Sequence, residues 1–163
     1  MRQNEGTKKP LYGPRLSHRR LSFSRPLSNG VYMSEVGSWE PDAPELSEVH
    51  RKMLGVAIQA IDQPQLGLSA VQQEVIRQAV RASAESWTKF AQEQSSDAIA
   101  SWIRALTRAE MVLEGLELGA RSPVIALTRL LKRRGDYPDD LTAWVKANTD
   151  NRFLPYGSLS DRL

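Results

Sequence analysis

From Glu45 to Asn148 apolar residues recur at intervals of three and four, and no segment alternates with period two, so the pattern predicts helices without strands. Trp39–Pro44 (WEPDAP) is a Pro-punctuated lead-in. A first helix over 45–62 follows, with Leu46, Val49, Met53, Val56, Ala57 and Ile61 as its apolar stripe. Glu48 and Lys52 are spaced to pair on its outer side. Gln63-Pro64 and Gly67 mark a turn. Ser69, with Gln72 three residues on, is a capping box that opens a second helix. The run to about Gln94 lacks Gly and Pro and predicts one continuous rod of roughly 37 Å. Its inner side is Val71, Val75, Ala79, Ala82 or Ser83, Trp87, Phe90 and Ala91. The outer side carries Arg81, Glu85, Lys89 and Glu93, four apart with alternating sign, a self-paired solvated face.

Ser95-Ser96-Asp97 caps a third helix over 98–117. Its core stripe is Ile99, Trp102, Ile103, Leu106, Ala109, Leu113 and Leu116, with Gly119 as the stop. Met111 and Val112 fall off that stripe and suggest a second contact. Ser122-Pro123, N-cap then Pro at the first helical position, starts a fourth helix. Val124, Ile125, Leu127, Leu130 and Leu131 cover most of its circumference, which makes it the most central. Gly135 closes it. Pro138 opens a short fifth helix with Asp139 and Asp140 in its first turn and Leu141, Trp144 and Val145 inward. The expected fold is therefore all-α, about five helices over residues 44–149 in a mostly antiparallel bundle.

The two ends of the chain read differently. Residues 150–163 (DNRFLPYGSLSDRL) have no period, yet Phe153, Leu154 and Tyr156 are too apolar for a free tail. An irregular segment holds such groups only by packing them into a groove, its own or a partner's. An ordered C-terminal strap on its own domain is the expectation. Residues 1–40, broken by Pro10, Pro14 and Pro26, read as a disordered basic leader. Met33-Ser34-Glu35-Val36 also looks like an ordinary protein start, so an over-extended start over the first 32 residues is the alternative.

Charge changes the picture only once it is located. The chain has 163 residues and a net charge of +3, but residues 1–30 hold seven basic residues and one acid, Glu5. The remainder is mildly acidic, so the sequence pI of 9.4 describes a tail rather than a fold. No run approaches the ~20 apolar residues of a membrane helix. The expected setting is the cytoplasm, without a membrane.

Candidate chemistry is sparse. There are no cysteines and two histidines, His18 and His50, the latter placed on the solvent side of the first helix. There is no Gly-rich phosphate loop, no Gly-x-Ser-x-Gly and no metal-ligand pair, so no catalytic residue, cofactor or metal is assigned. Glu110, Glu114 and Glu117 lie on one predicted helical face but lack the Glu-x-x-His unit of a carboxylate di-metal bundle. The function expected is that of a non-catalytic helical interaction protein (adaptor, inhibitor or regulator) with another protein as partner. Its expected contact residues are Met111, Val112, Phe153, Leu154 and Tyr156. The alternative is a nucleic-acid-associated regulator using the leader and the cluster Arg129, Lys132, Arg133 and Arg134. Cations at a helix C-terminus also complement the macrodipole, and Asp136, Asp139 and Asp140 follow at once.

Overall fold

The computed structural model describes residues 45–158. Among these residues the chain is all-helical: α1 (Glu48–Gln59), α2 (Ala70–Val80), α3 (Ala84–Ala91), α4 (Ser96–Val112), α5 (Pro123–Arg134) and α6 (Leu141–Ala147). No described helix is long and apolar enough to cross a membrane. The expected leader over 1–40 and the last five residues of the expected strap lie outside the described residues.

Six helices stand where five were expected because the second one breaks. After Val80 the chain turns: the Ala82 amide donates to the Ala79 carbonyl at 3.0 Å. Ser83 then takes an extended backbone, and its hydroxyl accepts from the Ser86 amide at 3.0 Å, capping a new helix. The capping Ser, with Glu85 in the first turn, outweighs the absence of any Gly or Pro. Of the expected inner side, Ala79, Ala82, Trp87 and Ala91 are buried and Phe90 packs on the core, while Val71, in the first turn of α2, is 77% exposed. Arg81 closes α2, whereas Glu85 lies in the first turn of α3. Arg81, Glu85, Lys89 and Glu93 consequently do not form one face, and no ion pair joins them among the described residues.

In α1 the buried positions are Leu54 and Ala57, and Val49 is exposed. The other expected positions, Leu46, Met53, Val56 and Ile61, pack against the core, so the expected stripe holds apart from Val49 and its omission of Leu54. Glu48 pairs with Arg51 at 2.6 Å instead of with Lys52. The helix also starts later than expected. His50 is half-buried, not free in solvent, because its Nδ1 accepts the Ser47 amide at 3.0 Å. Burial lowers the His50 pKa from its ordinary value of 6.5, which favours the neutral ring that an accepting Nδ1 requires.

Between α1 and α2, Gln65, Leu66 and Gly67 have φ of 50°, 56° and 60°. A left-handed non-glycine residue costs about 1–2 kcal/mol. Leu66 is fully buried, a gain of about 1.5–3 kcal/mol that offsets its strain. A Cβ at Gly67 would lie 2.8 Å from the Gln63 side chain and 3.1 Å from the Ala60 methyl. The Gln63 tip can swing aside, so the left-handed φ and the Ala60 methyl are what favour glycine there.

The core centres on α4 and α5. Helix α4 packs against α1, α5, α6 and the 64–67 turn, and α5 packs against α3 and α4. The expected stripe of α4, Ile99 through Leu116, is buried throughout. The helix nonetheless ends at Val112: Leu113 is extended, and Gly115 has φ of 76°. Leu113 and Leu116 therefore reach the core from a loop. Helix α5 matches expectation at both ends, with Ser122 as N-cap, Pro123 first and Gly135 in the left-handed C-terminal position. Every residue from Pro123 to Thr128 is buried. Helix α6 begins at Leu141, three residues later than expected, and Asp140 instead pairs with Arg104 at 2.9 Å.

Candidate functional site

The C-terminal segment lies on this domain. Leu154 is buried in the core, and Phe153 is half-buried against it, beside Gly119. Three backbone amides fold the segment on itself by donating within it: Phe153 N–H to the side-chain Asn151 Oδ1 (3.1 Å), Leu154 N–H to Asn151 O (3.0 Å) and Gly157 N–H to Phe153 O (2.6 Å). The Tyr156 hydroxyl meets Thr142 Oγ1 at 2.5 Å, and its ring takes the Lys132 ammonium 3.8 Å from the centroid.

Glu110 fastens this segment to the helices. Its carboxylate receives hydrogen bonds from the Ser122 hydroxyl and, at 3.0 Å, from Asn151 Nδ2. The same Asn151 amide also donates to the Gly119 carbonyl at 3.0 Å. One side chain of α4 thus joins the N-cap of α5 to the C-terminal segment. Burial pushes the Glu110 carboxyl above its ordinary 4.5, and the Ser122 and Asn151 bonds oppose that rise. The acidic face expected of Glu110, Glu114 and Glu117 does not form, because α4 stops between the first and second of them.

Above Glu110 opens a groove of about 460 Å³, walled by Met111, Leu116, Leu118, Gly119, Asp150 and Phe153. Met111 is 40% exposed on its rim, and its sulfur accepts the Asp150 amide at 3.3 Å. Of the five residues expected to contact a partner, the fold brings Met111 and Phe153 together here. Val112 packs on the core, Leu154 is buried, and Tyr156 lies against Lys132 and Thr142 away from the groove.

The basic cluster is dispersed in a similar way. Arg134 donates from Nη1 to the Gln94 carbonyl (2.7 Å) and from Nη2 to those of Gln92 (2.6 Å) and Ala91 (3.2 Å). It satisfies the end of α3. Lys132 sits over the Tyr137 and Tyr156 rings, Arg133 is exposed, and Arg129 lines a different cavity.

That cavity, about 600 Å³, was not anticipated. It lies between the α2–α3 corner, the 115–122 loop and the side of α5, and Arg81, Arg121 and Arg129 line it with Ser83 and Glu117. As a member of a continuous solvated face Arg81 gave no hint of it. The signal was Ser83-x-x-Ser86, a helix start inside an apparently unbroken helix.

Among the described residues no group of His, Asp and Glu side chains is placed to hold a metal ion. The chain matches no family model, and neither the curated proteins nor the solved structures give a match, so the site is read from its geometry alone.

Proposed function

We propose that this chain is a cytoplasmic, non-catalytic helical interaction protein that engages another protein through the groove between Met111 and Phe153. The observation that supports this reading is the exposed Met111 beside a half-buried Phe153 over a concave, partly apolar surface. Methionine adapts its shape to a partner at little cost, and aromatic groups anchor interfaces. Glu117 and Asp150 on the walls outnumber Arg152, which favours a partner segment with one bulky apolar side chain flanked by basic groups. The short connections between successive helices support mostly antiparallel packing as part of the same reading.

The test is retention of a partner from the native host by wild-type protein and by Met111→Glu. The exposed position leaves the fold intact, which an unchanged thermal midpoint verifies. The groove reading expects a discrete protein to be lost with Met111→Glu and kept with Arg133→Ala. An identical retained set for all three proteins overturns it.

A further inference from the structure

We propose that the cleft lined by Arg81, Arg121 and Arg129 binds a soluble small molecule bearing a phosphate or pyrophosphate group. This cleft adjoins the groove, sharing Glu117 and Leu118 with it, but its argument does not depend on that reading.

Arg81 and Arg121 line a concavity of about 600 Å³ together with Arg129 and the carboxylate Glu117. That volume falls within the range of small-molecule sites, roughly 300–1,000 Å³. The charge is unbalanced in a specific way. The Arg81 and Arg121 side chains are exposed and make neither an ion pair nor a hydrogen bond among the described residues, although Glu85 and Glu117 are near in sequence. Four other arginines are engaged, Arg51 with Glu48, Arg77 with Glu74, Arg104 with Asp140 and Arg134 with three carbonyls, and what sets Arg81 and Arg121 apart from the unpaired Arg108 and Arg133 is that both line one cleft. Two unpaired guanidinium groups on one cleft are therefore available for an anion.

Two features select phosphate chemistry over a generic anion. A guanidinium presents a planar fork of donors that matches two oxygens of one phosphoryl group, and separate forks suit a pyrophosphate. The N-terminal end of α3 also opens on the cleft at Ser83 and Ala84. Ser83 Oγ takes the Ser86 amide, and the preceding amides of that first turn have no intrahelical acceptor, so they add donors and a positive dipole end. The α2–α3 corner creates this arrangement. In an unbroken helix Arg81 would project from a rod with no helix start beneath it.

The experiment is calorimetric titration of the full chain with inorganic pyrophosphate at moderate salt, with a short DNA duplex as a second probe. Wild-type protein is expected to bind pyrophosphate saturably at one site per chain. Arg81→Ala and Arg121→Ala are each expected to weaken binding about tenfold or more, the loss expected for a charge-assisted hydrogen bond. Arg133→Ala, an exposed arginine outside the cleft, should leave it unchanged. Thermal midpoints confirm folding, and Arg121→Lys, which keeps the charge but not the fork, should recover only part of the loss. Absence of saturable binding overturns the proposal, as does an equal loss with Arg133→Ala. Duplex binding that depends on Arg81 and Arg121 without pyrophosphate binding overturns it in favour of a nucleic-acid surface.

Discussion

The Trp87 indole N–H donates to the carbonyl of Ala79 across 3.1 Å, so a buried side chain of α3 holds the last turn of α2. The same carbonyl accepts the Ala82 amide, and both bonds fix the corner that divides the two helices. Trp87 is fully buried and meets Phe90 edge-on with centroids 6.0 Å apart. Trp87→Phe keeps an aromatic ring but removes the donor and part of the volume. It should cost about 1–3 kcal/mol, read from the urea midpoint. Wild-type stability in that variant would mean the corner stands without the indole bond.

Trp102 and Leu127 should behave as core residues. Trp102 is 4% exposed and stacks on Phe90 at 5.3 Å between centroids, and Leu127 is fully buried. Trp102→Ala should cost roughly 3–5 kcal/mol and Leu127→Ala roughly 2–5 kcal/mol. Chemical denaturation checks both, and near-native stability in either would contradict the packing of α4 against α5.

Glu110 should give stability a pH dependence of unusual sign. Its carboxyl is raised above the ordinary 4.5 by burial, so the folded state holds its proton more tightly than the unfolded chain does. The stability associated with this group is complete below the unfolded value and is lost as pH rises through the raised one. Glu110→Gln removes this component while keeping one acceptor for Ser122 or Asn151. Thermal midpoints measured from acid to neutral pH should show a smaller decline in the variant. Parallel curves would assign the decline to other groups.

The C-terminal segment should exchange slowly and carry stability. The amides of Phe153, Leu154 and Gly157 all have acceptors within the segment, and Leu154 is 4% exposed. Deleting residues 150–163 removes the Asn151 donor from buried Glu110 and the Leu154 side chain from the core. The buried leucine alone is worth about 1.5–3 kcal/mol. Hydrogen exchange on the isolated protein should show protection at those three amides, and the deletion should lower the thermal midpoint. Fast exchange there would return the segment to the role of a free binding peptide.

How far the sequence carries depends on where the physics is local. The start and stop of α5 were legible because Ser122-Pro123 and Gly135 act within one turn. The buried face of α4 was legible because Ile99 through Ala109 keep one period. The break before Ser83 was not, since a serine in a helix and a serine capping one look alike until Trp87 is seen reaching Ala79. Val71 was misplaced because it stands in the first turn of α2, where the helix begins to leave the core. At the groove, the apolar excess of the C-terminal segment was visible. Which of its side chains stay near the surface was decided by Asn151 meeting Glu110, 41 residues apart. No pattern along the chain encodes that meeting.

Arg134 reaches back some forty residues to the carbonyls of Ala91, Gln92 and Gln94, and this makes the end of one helix the lock of another. All of α4 lies inside the span that this clasp closes. Helix α3, eight residues long, is too short to persist by itself, so its C-terminal end depends on the clasp. Opening the clasp would release the last turn of α5 in the same event. The two ends therefore belong to one cooperative opening unit, with α4 enclosed by it.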